Sequence, residues 1–221
     1  MRTIECTLCA KVINKATNEH LPQRSLYPKK IRDSINFNTV KACSDCNNGS
    51  SKSDEIFKVF IGLIANHEHS NELFYSVNKT LNNNNKLNRD IVNNSTLTKD
   101  HGHLISHWNA RDYTDIVLES AEKCAKGFYF DKYNEVLIKN NSISPVPTPF
   151  IYEKHKIEIE EKLQSAEWLS VNAGTVNFTF LDMKNTDIII IINFFDSAEF
   201  VFCIRDKEYN KKVNLGLINL S

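Results

Sequence analysis

Two pairs of cysteines, Cys6-x-x-Cys9 and Cys43-x-x-Cys46, constrain this chain more than any other feature. A C-x-x-C turn lets two sulfurs reach the same ion, and two such turns supply four thiolates to one tetrahedral zinc. Four protein ligands leave no open coordination position, so a zinc held this way is structural. No apolar signal segment precedes Cys6, and the expected setting is cytoplasmic; there, paired cysteines read as metal ligands rather than disulfides. Residues 1–55 otherwise lack long periodic segments, and so short a stretch needs a metal to make up for a small core. The two remaining cysteines, Cys124 and Cys203, are expected to pack as core thiols.

The spacing between the pairs is long, and it holds a second set of chemically suggestive residues. In order these are Glu19-His20-x-Pro22, Asn38, and Asn47 directly after Cys46, with Lys52 close behind. Hydrolysis of a phosphodiester needs a base for the attacking water, and histidine titrates in the right range. It also needs a cation to neutralise the leaving oxygen, and carboxylate and amide oxygens suit Mg²⁺ or Mn²⁺. A histidine beside a glutamate is, on its own, more often a solvated or capping residue. The flanking cysteines turn the pair into a candidate site.

The combined pattern resembles the HNH, or ββα-metal, nuclease superfamily, and within it the zinc-knuckle members. Their order is C-x-x-C, an acid–histidine pair before a proline, an asparagine, and C-x-x-C-N. The resemblance covers residues 6 to about 55. Glu19 stands where aspartate is commoner, Pro22 comes one residue early, and the third family position falls on Ser50 or Ser51. By this resemblance His20 is the general base, and Glu19 and Asn47 hold a catalytic divalent ion. Asn38 steadies the loop carrying His20 or orients its ring, while Lys52 and Arg24 contact phosphate. The implied protein is a metal-dependent endonuclease acting on nucleic acid, expected to be DNA, with a family-level association with defence against foreign DNA. The competing reading is a non-catalytic zinc module, a degenerate HNH fold that binds nucleic acid or protein.

Charge adds only a local bias. The chain carries equal numbers of basic and acidic side chains, so no whole-chain polycation is available for nucleic acid. Residues 1–55 hold nine basic side chains against six acidic ones, which favours that end for phosphate contact. The most apolar run, residues 188–195, is interrupted by Asn193 and is too short to span a bilayer.

The expected fold class is α+β: a zinc-bound ββα-metal module over 1–55, then a helical region and a C-terminal antiparallel meander over 56–221. A protein partner or self-association is assigned to that second part. Helical periodicity places a helix over 54–66 and another over 111–130 ended by Gly127. In the second, Tyr113, Ile116, Val117, Ser120, Ala121 and Cys124 share a face. The asparagine-rich residues 78–100 read as a loop or poorly ordered link. Three prolines mark 140–150 as a connector, and 152–169 reads as a charged amphipathic helix. Runs at 175–182, 187–195 and 198–205 read as strands, with turns at Lys184-Asn185 and Asp196-Ser197. Phe178, Phe180, Phe194 and Phe195 are expected in the core rather than on a base-stacking face. His67, His69, His101, His103 and His107 read as surface histidines.

Overall fold

A computed structural model describes residues 3–48, 51–65, 67–100, 103–146, 157–184 and 187–207. The first cysteine turn lies between two short antiparallel strands, β1 (Ile4–Glu5) and β2 (Val12–Ile13). Strand β3 (Thr17–His20) then pairs antiparallel with β4 (Thr39–Ala42), with Glu19 opposite Val40 and His20 opposite Thr39. Their connection contains a 3₁₀ turn at Arg24–Leu26 and the short helix α1 (Lys29–Arg32). Strand β4 runs directly into α2 (Ser44–Asn48), which carries Cys46 and Asn47, and then α3 (Ser51–Ile64).

The asparagine-rich stretch is not a loop. It forms the C-terminal end of α4 (Ser70–Asn83), then α5 (Asn85–Asn93) and the hairpin β5 (Ser95–Asp100) with β6 (His103–Trp108). Asparagine is a poor but tolerated helix former, and tertiary burial overrides it here. Val77, Leu81 and Leu87 recur among the asparagines and bury against Val59 of α3. Asn84 separates the two helices and caps α5, its Oδ1 accepting a hydrogen bond from the Leu87 N–H at 3.0 Å.

Helix α6 (Thr114–Tyr133) runs through Gly127 rather than stopping there. It ends where Asn134 adopts a left-handed conformation, φ 53°, and donates its N–H to the Phe130 carbonyl. Gly127 answers a packing need: a Cβ at that position would lie 1.8 Å from Leu21 Cδ1. The helix α7 (Leu137–Asn140) and strand β7 (Asn141–Pro145) follow. The start of the proline connector is thus a strand, and residues 147–150 lie outside the described residues. Helix α8 covers 157–164; the part of the expected helix at 152–156 lies outside them too.

The meander is present as β9 (Val176–Asp182), β10 (Ile188–Phe194) and β11 (Ala198–Asp206). Strand β8 (Leu169–Val171) and β7 extend it to five antiparallel strands in the order β7-β11-β10-β9-β8. At the β10–β11 turn Phe195 and Asp196 both have positive φ, 51° and 57°. Asn185 lies outside the described residues.

Both faces of this sheet are covered, which explains the unbroken isoleucine run in β10. Ile190 and Ile192 join Phe178, Phe180, Phe194 and Phe202 in the main core. Ile189 and Ile191 face the other way, with Leu181, Val201 and Cys203, under Ile159 of α8. Phe128 of α6 stacks on Phe178 with ring centroids 4.1 Å apart. The same main core takes in Cys6, Leu8, Leu21, Tyr27 and Val40. Residues 1–55 and the C-terminal sheet therefore share one apolar interior. No described helix is long and apolar enough to cross a membrane.

Candidate functional site

The four paired cysteines converge. Their sulfurs all lie within 4.8 Å of one another, with Cys9 Sγ and Cys43 Sγ 3.7 Å apart. A tetrahedral zinc with Zn–S of about 2.3 Å spaces its sulfurs by about 3.8 Å, so the set fits a single ion. Backbone N–H groups also aim at the sulfurs: Cys43 N–H at Cys6 Sγ (3.3 Å) and Cys46 N–H at Cys43 Sγ (3.5 Å). The Cys46 N–H is the main reason the Cys43 thiol falls to about 7. Burial pushes Cys9 and Cys46 upward instead, and neighbouring thiols push Cys46 further. Four thiolates this close repel one another unless a cation sits among them.

The Glu19-His20 pair lies on strand β3, where successive side chains point to opposite faces. Glu19 faces inward to α6 and is 4% exposed; Lys123 Nζ reaches its Oε1 at 2.5 Å. Burial raises the Glu19 carboxyl above its ordinary range, Lys123 pulls it down, and the charge of Asp54 pushes it up again. His20 faces the other way and meets the edge of Phe37, centroids 5.2 Å apart. Its Nδ1 is buried without a hydrogen-bond partner among the described residues, and the residue as a whole is half-buried. Burial, and secondarily the charge of Arg24, lowers its pKa below the ordinary 6.5. The imidazole is therefore neutral at physiological pH, the state a general base requires.

Asn47 Nδ2 donates to the Asn18 carbonyl at 3.2 Å, so α2 is tied back to the strand carrying His20. Asn38 holds the loop that follows His20: its carbonyl accepts the Leu21 N–H at 2.9 Å. Its side chain does not turn to the imidazole but donates to Asp131 Oδ2 at 2.6 Å. Arg24 is exposed and lies 5.8 Å over the Phe37 ring, close enough for its charge to act on His20. Lys52 is exposed near the start of α3. Ser50 lies outside the described residues. Thus Glu19 and Asn47 each already have a protein partner, and a shared metal would compete with Lys123 for the Glu19 carboxylate.

Several residues that shape the site carry no signal in the sequence. Asn172, 3% exposed in the turn between β8 and β9, donates to the Leu21 carbonyl and the Tyr27 hydroxyl, both at 3.0 Å. Its Oδ1 accepts the Asn38 N–H at 3.0 Å. Tyr27 in turn meets the edge of Phe37, which supports the His20 ring. Lys123, Phe37 and Asn172 all come from segments with no motif of their own.

The other histidines are distributed as follows. His67, Glu68 and His69 bring ligand atoms within 4.8 Å of one another, and His67 Nε2 is 3.9 Å from Asp196 Oδ2. His107 Nε2 lies 2.8 Å from Thr98 Oγ1. His101 and the His103 side chain lie outside the described residues. Cys124 and Cys203 are buried, as are Phe178, Phe180, Phe194 and Phe195.

No family model matches the chain, and no curated protein or solved structure shows significant similarity to it.

Proposed function

We propose that this chain is a zinc-stabilised, metal-dependent endonuclease of the HNH kind, hydrolysing phosphodiester bonds in DNA. The observation that carries the reading is the tie between Asn47 and Asn18: the helix starting at the second cysteine pair leans on the strand that carries the acid–histidine pair. Zinc is the ion that best suits four thiolates at this spacing, and its task is to fix the start of α2 against the β1–β2 turn, from where Asn47 reaches β3. His20 takes the proton of the attacking water on Nε2, and its neutral state at physiological pH suits that task. Asn38 and Asn172 hold the loop after His20, and Phe37 limits the tilt of its ring. Arg24 and Lys52 meet the phosphate. Glu19, if released from Lys123, and Asn47 would hold a Mg²⁺ or Mn²⁺ ion, which would supply neutralisation of charge on the leaving oxygen.

The Glu19–Lys123 pair favours a second reading. A buried carboxylate already neutralised by a half-buried lysine is what a zinc module that only binds nucleic acid or protein would tolerate. A plasmid-nicking assay with Mg²⁺, Mn²⁺ and metal-free arms separates the two. Zinc-loaded His20→Ala is expected to lose cleavage by about 10²–10⁴ while keeping zinc and nucleic-acid affinity. Cleavage by this variant at the wild-type rate removes His20 from the mechanism and leaves the binding module as the better account.

A further inference from the structure

A groove of about 700 Å³ opens between α1, α3 and α4, and it shares no lining residue with the His20 site. Five cations line it: Lys29, Lys30 and Arg32 from α1, Lys58 from α3 and Lys79 from α4. Glu72 is the only acid among its described lining residues, and it is spent on Lys30 at 2.8 Å. In a chain of zero net charge, this is a strong local excess of positive charge.

Two of the cations are held in place by the fold. Arg32 donates from Nε and Nη2 to the Tyr27 carbonyl, at 3.2 and 2.7 Å, which fixes the guanidinium plane and leaves its other N–H groups for a ligand. Lys58 is half-buried and donates to Thr80 Oγ1 at 2.9 Å. Burial, then the charge of Arg32, lowers the Lys58 pKa; Lys79 adds to this and Glu55 opposes it. An anion in the groove relieves that repulsion. Tyr75 also lines the groove and is 76% exposed, an aromatic ring left largely uncovered by the described residues.

We infer that this groove binds a single-stranded polynucleotide, with the cations along its backbone phosphates and Tyr75 stacked on a base. Cations alone would fit any polyanion. The exposed ring selects a strand whose bases are splayed, because bases inside a duplex keep their faces stacked on one another. This binding stands whether or not His20 cleaves, and it draws on α3 and α4 as well as on the basic N-terminal residues.

The test is fluorescence anisotropy on the full zinc-loaded chain carrying His20→Ala, in buffer without added divalent metal, so that cleavage cannot enter. The probes are a labelled single-stranded DNA of mixed sequence, its RNA counterpart and the annealed DNA duplex, each titrated at several salt concentrations. The single strands are expected to bind more tightly than the duplex, and comparison of DNA with RNA shows whether the sugar is read. Lys29→Glu with Lys79→Glu should weaken single-strand binding about tenfold or more and flatten its salt dependence. Tyr75→Ala should weaken it about tenfold with the salt dependence unchanged. Lys86→Glu, an exposed lysine outside the groove, should change neither much. Equal or tighter binding of the duplex, an unaffected double variant, or no binding by the parent chain overturns the proposal. No single-strand binding by the parent chain, alongside intact plasmid nicking by the wild-type chain, would overturn this groove alone and leave the nuclease reading standing.

Discussion

Leu21 and Gly127 meet so closely that the absence of one carbon atom decides the fit. A Cβ on Gly127 would lie 1.8 Å from Leu21 Cδ1 and 3.4 Å from Val40 Cγ1. Through this contact α6 presses against the residue directly after His20. In an exposed helix, glycine to alanine is worth about 1 kcal/mol of stabilisation. Here Gly127→Ala is expected to cost about 1–3 kcal/mol instead, because the methyl must displace Leu21. Urea denaturation of Gly127→Ala, Leu21→Ala and the double variant reads this directly. The double variant should lose less than the two singles together, and a stabilised Gly127→Ala would refute the contact.

The Glu19–Lys123 pair predicts an asymmetry between single and double substitutions. Removing one partner of a buried ion pair strands the other, at a cost of about 3 kcal/mol or more. Lys123→Met leaves Glu19 facing the charge of Asp54 with no cation beside it, so its stability should fall steeply. Adding Glu19→Gln should recover much of the loss. A Lys123→Met protein as stable as the parent would mean that Glu19 carries no buried charge.

Thiol reactivity offers an account of the metal. With zinc bound, none of the six cysteines should react rapidly with an alkylating reagent. Chelation should expose Cys6, Cys9, Cys43 and Cys46 first, and peptide mapping should find Cys124 and Cys203 labelled only on global unfolding. These last two are buried, and burial raises both thiols. Early labelling of Cys203 would contradict its placement under α8. Replacing any one of the four ligands with serine should leave zinc substoichiometric by metal analysis and lower thermal stability.

Alkaline pH should weaken the fold, and Cys203 identifies part of the reason. Burial, then the charge of Asp187, raises its thiol from the ordinary 9.0 to about 11. Between those values the unfolded chain loses the proton while the folded chain keeps it. Fewer protons are then bound in the unfolded state, so stability falls as pH rises through the interval. Below 9.0 both states hold the proton and the effect vanishes. Thermal unfolding of Cys203→Ala should show a shallower decline across this range than the parent chain. Parallel declines would remove Cys203 as a contributor.

What the sequence discloses depends on how local the responsible forces are. The cysteine set is legible because two tight turns fix their own geometry, and the meander is legible because each strand announces itself within a few residues. The double-sided burial of β10 is less so: five successive isoleucines say that both faces are covered, but not by what. The helices α4 and α5 escape notice because their few buried residues, Val77, Leu81 and Leu87, are diluted by asparagine. Gly127 misleads for a related reason. Glycine ends many helices, and only the position of Leu21 reveals that here it serves as a gap. The partner of Glu19 cannot be read at all, since Lys123 resembles any other lysine of an amphipathic helix until α6 is laid against β3.

Asn172 gives the order of synthesis a structural meaning. The ribosome releases the His20 hairpin early and the turn holding Asn172 late, yet this one amide meets the Leu21 carbonyl, the Asn38 N–H and the Tyr27 hydroxyl. A chain halted midway already owns all four thiols of the cysteine cluster. It lacks the residue that closes the loop beyond His20, so the cluster can assemble while that loop still lacks its clasp.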